Sequence, residues 1–311
     1  MLDPEIAALT KALDQPDPDV RRIVVMQAAD WAHDHPGLFA QASRDEDPGV
    51  RLEAVKALEG DASEDGVNAL VDRLEDTEEE IRTAAAQSLA EILDEAAGPV
   101  LLGRLAEARG QARAAILAGL RKLRQEGALE PALDALGDPL ASVRLEAVRV
   151  LGYLRHDRAV VGLAERVTVD TDAEVRRAAV GALGFAEPGA AAPALLRALG
   201  DADWQTREEA AVTLGKLLPA EAADGLIAAL DDSYWQVRLK AAVALGRLKA
   251  GAAVPALIAQ LSHAIGNLRR EAAGALAAIG DRAAVPALTE ALDDADVEVR
   301  KSARRALDAL A

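Results

Sequence analysis

The chain has 311 residues, with 52 acidic against 35 basic side chains, a formal net charge of −17, no cysteine and 2% aromatic residues. The absence of cysteine excludes disulfides, thiolate nucleophiles and thiolate-held metals. The acidic balance opposes generic nucleic-acid binding, and no apolar run approaches the roughly 18 residues of a membrane span.

The first residues, MLDPEIAALTKAL, show neither the basic nor the apolar region of a signal peptide and read as helix from about Asp3. A cytoplasmic location is therefore expected. From there an arginine returns at almost fixed spacing: Arg21, Arg51, Arg82, Arg113, Arg144, Arg176, Arg207, Arg238, Arg269 and Arg300, in steps of 30 to 32 residues. A period of this length marks a stack of identical supersecondary units. The expectation is one array over residues 1–311, with no need for the two cores that such a length normally implies.

The sixth unit, Asp170 to Leu199, shows the pattern best. An acidic turn comes first, with Asp172 placed as an N-cap and acids in the first turn to match the helix dipole. A helix EVRRAAVGAL follows, and Gly184 reads as the glycine that ends it. Pro188 and Gly189 mark a loop. A second helix then carries Pro193 in its first turn and Leu195, Leu196 and Leu199 as its apolar residues. Counted from the repeating arginine, apolar residues fall at −1, +3, +6, +7 and +10, one helical face. In the eighth unit these are Val237, Ala241, Ala244, Leu245 and Leu248; in the ninth, Leu268, Ala272, Ala275, Leu276 and Ile279.

An acid stands at −6 in most units: Asp45, Asp76, Glu107, Asp138, Asp170, Asp201, Asp232 and Asp294. A helix arginine and a loop acid repeated in register predict a structural ladder of charge-assisted hydrogen bonds between units. Some units depart from the pattern. The first has Gln15 at −6 and the ninth has His263, while the fourth has Arg121 where the capping glycine is expected. Arg304, Arg305 and Asp308 give the last helix, which runs to about Leu310, a polar outer surface.

The recurring D-x-D-x-x-V-R-x-x-A-A-x-A-L-G, followed by A-x-P-A-L-x-x-A-L, resembles HEAT repeats, and more narrowly the short HEAT-like repeats first recognised in phycobilin lyases. Clear copies occupy residues 170–184, 231–246 and 293–307. The resemblance implies an all-α, right-handed solenoid of about ten two-helix repeats, with the arginine-bearing helices lining a concave surface. It is specific for fold and says less of function, because such repeats serve in scaffolds, adaptors and some enzymes.

On the arginine-bearing helices, positions −3, −2, +1, +5 and +9 lie opposite the core stripe and should face that groove. Four of the seven aromatic residues take these slots in successive units: Tyr153, Phe185, Trp204 and Trp235, with Tyr234 beside the last. Arg149, Arg177, Lys240 and Arg247 fall nearby. Exposed aromatics with arginines are a binding signature, so these nine residues form the expected partner-binding site. The early groove should be acidic, since residues 1–95 hold 24 acidic and 8 basic side chains whereas residues 96–311 hold 28 and 27. Asp19, Asp30, Glu53, Glu79, Glu80 and Glu91 carry that character.

No catalytic residue, cofactor or metal is called for. His33 and His35, with Asp30 and Asp34, read as a solvated turn, and the His-Glu dipeptides needed by the di-iron hydroxylases built on HEAT repeats are absent. Walker, GxGxxG and GxSxG motifs are absent too. The expected function is a non-enzymatic scaffold or adaptor holding a protein or peptide in the groove. The alternative is a bilin-lyase-like factor handling a tetrapyrrole.

Overall fold

The computed structural model describes residues 4–311, with their side chains except at 4–7 and 9. The helix start expected at Asp3 lies outside the described residues. Among them the elements are helices with short 3₁₀ turns and no strand. Packing groups the chain into two compact units that divide between Leu154 and Arg155.

The first unit contains α1 (Pro4–Leu13), α2 (Pro18–Gln27), α3 (Pro36–Ala42), α4 (Pro48–Ala57), α5 (Glu64–Arg73), α6 (Glu79–Glu91), α7 (Ala97–Leu105), α8 (Gly110–Lys122), α9 (Leu129–Ala135) and α10 (Ala141–Leu154). The second contains α11 (Ala159–Val169), α12 (Ala173–Ala182), α13 (Pro188–Ala198), α14 (Trp204–Leu217), α15 (Ala223–Ala229), α16 (Trp235–Leu248), α17 (Val254–Gln260), α18 (Gly266–Ile279), α19 (Val285–Glu290) and α20 (Val297–Leu310). The even-numbered helices bear the arginines. Within each unit they pack in file, α2 on α4 through to α10, and α12 on α14 through to α20, while each odd helix packs on the even helix that follows it.

The acidic turns start the even helices. The side chain of Asp47 accepts from the amides of Gly49 and Val50, that of Asp172 from Glu174 and Val175, and that of Asp203 from Thr206. These bonds satisfy donors that a helix start leaves free. Behind them Val237, Ala241, Ala244 and Leu245 are buried, as are Leu268, Ala272, Ala275 and Leu276. Each such leucine contributes roughly 1.5–3 kcal/mol by leaving water. The stripe differs from expectation at its end. Leu248 and Ile279 at +10 are only half-buried, and position +4, with Ala211, Ala242 and Ala273, is fully buried instead. Position +10 falls in the last turn, where the chain is already leaving the interface.

The recurring glycine at +8 has a different task from the one expected. Gly184 lies in a 3₁₀ turn, Leu183–Phe185, that extends α12, and it is not among the residues with positive φ. At the equivalent sites a Cβ on Gly215 would lie 2.8 Å from the Ala244 Cβ, and one on Gly246 would lie 2.8 Å from the Ala275 Cα. This glycine lets neighbouring even helices touch. Arg121 in the fourth unit therefore replaces a contact residue, not a cap. The left-handed position that ends the helix is +11, occupied by Arg124, Arg155, Leu218 and Lys249, and by glycine only at Gly280. A second correction concerns α13, which begins at Pro188. Pro188 and Gly189 are its first residues rather than a loop, and Pro193 lies inside the helix, where proline removes one backbone hydrogen bond.

The ladder links the arginine of one repeat to the aspartate of the next, twenty-four residues on for Arg21 and twenty-five for Arg51, Arg176, Arg207 and Arg269. Arg21 to Asp45, Arg51 to Asp76, Arg176 to Asp201, Arg207 to Asp232 and Arg269 to Asp294 are all two-pronged, through Nε and Nη2, at 2.6–2.9 Å. Nη1 binds the carbonyls of the arginine's own turn, as Arg207 does with Asp201 (2.8 Å) and Ala202 (3.2 Å). Burial by itself would push the Asp45, Asp76, Asp201 and Asp232 carboxyls up. The arginine fork and the amide two residues on outweigh it, and all four lie below the ordinary aspartate value. At Asp294 the Arg269 fork is the larger influence, with the same result. Two rungs differ. Arg82 reaches only its own turn, Asp76 O at 2.7 Å and Thr77 O at 2.9 Å, and Glu107 is exposed. Arg238 meets His263 where a carboxylate would stand.

Candidate binding face

In the second unit, α14, α16 and α18 share a face opposite their core stripe, and a hollow of about 450 Å³ opens on it. Its floor is Ala211, Gly215, Leu239, Val243 and Ala244; Trp235 forms one wall. Glu208, Lys240, Arg247, Arg270 and Glu271 supply charge around it. Trp235, Glu208, Leu239, Arg270, Val243 and Arg247 stand at −3, +1, +5 and +9, slots opposite the core stripe, Lys240 and Glu271 stand at +2, and Ala211, Ala244 and Gly215 of the floor stand at +4, +6 and +8. The hollow exists because glycine and alanine at +6 and +8 bring the helices close while the slots to either side carry long side chains.

The charges in the hollow are only partly matched. Lys240 lies 3.9 Å from Glu208, and Arg270 lies 2.9 Å from Glu271, its own neighbour in sequence. Arg247 is exposed and makes one long contact, 3.4 Å, to the carbonyl of Gly215 in the last turn of α14. Next to Glu208 in α14, burial and then Glu208 itself raise the Glu209 carboxyl above the ordinary glutamate value, against the pull of Arg177, Lys240 and Lys216.

The expected site residues divide among several settings. Trp235, Lys240 and Arg247 line the hollow. Trp204 and Tyr234 stack on each other, centroids 5.1 Å apart and planes 8° from parallel, and the Arg207 guanidinium lies 5.7 Å from the Tyr234 ring. That stack joins the start of α14 to the turn before α16, so much of Trp204 is spent between repeats. Phe185 is half-buried in the 3₁₀ turn after α12, and Arg177 is half-exposed on α12. Tyr153 and Arg149 belong to the first unit. Tyr153 is 39% exposed; the Arg124 guanidinium covers its ring at 5.5 Å and Nε of Arg124 donates to its hydroxyl. Arg149 donates to Glu146 at 2.5 Å.

The first unit holds a larger hollow that the aromatic pattern did not flag. It measures about 610 Å³ across α6, α8 and α10, with Ala86, Ala90, Ala114, Ala115 and Ala118 as floor and Glu79, Gln87, Gln111 and Glu146 at its sides. The signal was present as alanine at the groove slots +1 and +5 of the fourth repeat, Ala114 and Ala118, but alanine is so common in this chain that it does not stand out. Among the described residues no three His, Asp or Glu side chains gather as a metal site, and no helix is long and apolar enough to cross a membrane.

A family model for HEAT repeats matches residues 35–121, 105–184, 160–235 and 223–308. No curated protein matches the chain. Among solved structures, an engineered protein shares 22% identity at a TM-score of 0.59 over 99% of both chains. The Escherichia coli protein YibA shares 17% at a TM-score of 0.55, covering 100% of this chain and 97% of its own. A chain from a structure of Kap95p with RanGDP shares 16% at a TM-score of 0.63, covering 100% of this chain and 50% of its own. At such identities the likeness is one of fold: an all-α solenoid of stacked helix pairs, an architecture typical of protein-interaction scaffolds.

Proposed function

Since the chain belongs to the HEAT-repeat family, we propose that it is a non-enzymatic scaffold which holds a protein or peptide segment on the α14–α16–α18 face. The observation that carries this reading is the hollow walled by Trp235, with charged groups of both signs around an apolar floor. Trp235 at the start of α16 and Arg247 in its last turn, an arginine with no carboxylate partner among the described residues, both line the hollow, and tryptophan and arginine are the types from which binding hot spots are most often drawn. The floor is set by helix packing, so the surface is preformed and a partner need not order it. Kap95p is a protein-binding relative in fold, which supports the class of partner and not its identity.

Selection of peptides from a random display library on the immobilised chain tests the proposal. Peptides so selected should lose at least about tenfold in affinity, 1.4 kcal/mol, against Trp235→Ala. Trp204→Ala, whose ring is stacked on Tyr234, should lower the unfolding midpoint more than it lowers affinity. Peptides that bind Trp235→Ala as tightly as the wild type would remove this face from consideration.

A further inference from the structure

The rung between the eighth and ninth repeats keeps its arginine and its turn but lacks the carboxylate. The turn at His263 is built like the others. Arg269 Nη1 holds His263 O at 2.8 Å and Ala264 O at 3.2 Å, matching what Arg207 does at Asp201 and Ala202. His263 even takes over the aspartate's local task. Its Nδ1 accepts the amide of Ile265 at 3.1 Å, as Asp232 accepts the amide of Tyr234 at 2.8 Å. With Nδ1 accepting, the proton of the neutral ring sits on Nε2. The imidazole has no second oxygen and no negative charge to offer Arg238.

Arg238 has turned accordingly. Its Nε, which in Arg207 points to the next repeat, donates to the carbonyl of its own Asp232. Its two terminal nitrogens make no hydrogen bond or ion pair with the described residues. Arg238 as a residue is half-exposed. Two terminal donors are thereby left free on the side chain whose five equivalents bind a carboxylate through Nε and Nη2, and its one bond to the Asp232 carbonyl anchors it at the turn.

We propose that Arg238, with His263 beside it, is a binding site for an external carboxylate, supplied by an acidic side chain of a bound partner. Desolvation favours such a site. The arginine has already left part of its water shell, and a two-pronged carboxylate replaces what the missing aspartate would have provided. The site is separate from the Trp235 hollow, and no residue of it lines that hollow. The two readings therefore fail independently.

The experiment follows the His263 ring by NMR on the full chain, which has only four histidines. The probes are sodium acetate, a blocked tripeptide with a central aspartate, inorganic phosphate and, as reference, chloride at equal ionic strength. Acetate and the tripeptide should move the His263 resonances saturably and raise its apparent pKa relative to chloride, because an anion at Arg238 favours the imidazolium. A tripeptide response as strong as that of acetate assigns a side-chain source. Arg238→Gln should abolish the response. Carboxylate should raise the unfolding midpoint of the wild type, and His263→Asp, which supplies a carboxylate from within, should abolish that rise. Identical titrations in acetate and chloride, a response to phosphate alone, or a response that survives Arg238→Gln would each overturn the assignment.

Discussion

The rung from Arg207 to Asp232 and the rung from Arg238 to His263 are consecutive, share one turn geometry and differ by one side chain. In the first, the carboxylate accepts the Arg207 fork at 2.6 and 2.9 Å, and one of its oxygens also takes the amide of Tyr234 at 2.8 Å. In the second, the ring nitrogen performs the amide contact and the arginine is left to its own turn. Shaping the turn and tying one repeat to the next are thus separable tasks, and aspartate does both because it has two oxygens on a short stem. Glu107 has the charge but one more methylene, and Arg82 does not reach it.

The largest test of this difference removes the two arginines in turn. Arg207 and Asp232 have side chains only 12% and 9% exposed. Arg207→Ala leaves the aspartate without its fork and should cost about 3 kcal/mol in urea unfolding, near the range for a broken buried pair. Arg238→Ala strands no carboxylate in the same way and should cost about 1 kcal/mol or less. Equal losses would show that the carboxylates contribute nothing to the ladder.

Glycine replacements ask whether the helices behind the two rungs are packed alike. Gly215→Ala presses on Ala244, and Gly246→Ala presses on Ala275, each with a Cβ at 2.8 Å. Both should lose about 2 kcal/mol, as overpacked contacts do. Gly274, with nothing within 4 Å of its would-be Cβ, should gain a few tenths to about 1 kcal/mol as alanine in the same assay. Unequal losses at Gly215 and Gly246 would mean that the ladder, and not the helix interface, sets the spacing.

The smallest effect is the restoration of the rung. His263→Asp should add about 1 kcal/mol near pH 7 by giving Arg238 a charged acceptor. The benefit should grow on mild acidification. Burial, then Arg238 on α16 and Arg269 on α18, lower the His263 pKa below its ordinary 6.5. The unfolded chain therefore takes up a proton first, and the stability that the neutral ring provides is full above about 6.5 and declines as pH falls toward the lowered value. The aspartate rungs hold their stability until pH drops below the ordinary aspartate value of 3.8. Unfolding midpoints of wild type and His263→Asp measured from pH 8 to pH 5 should diverge, and parallel curves would show that His263 is not coupled to the rung.

Much of the architecture was legible because the period is local. Helix caps such as Asp172 and the core stripe at −1, +3, +6 and +7 involve residues each about one turn or less from the next, and periodicity reports such relations directly. The ladder was legible because both partners recur in register. The candidate face was legible only as a set of slots. Trp235 lines the hollow while Trp204, at the same slot one repeat earlier, is stacked on Tyr234. A repeat pattern treats the two as equivalent, and only their neighbours distinguish them.

The sequence by itself determined the repeat length, the helix pairs, the acid-to-arginine register and the all-α class, because each follows from spacing along one chain. The tertiary structure decided what depends on distances between repeats. It made the +8 glycine a contact point and not a cap, and it placed the left-handed helix end at Leu218 and Lys249, where composition showed no glycine. It also opened the alanine-floored hollow of the first unit and left Arg238 without a carboxylate. The physical reason is the same in each case. A side chain's type sets what it is able to bind, and the repeat packed against it sets what lies within reach.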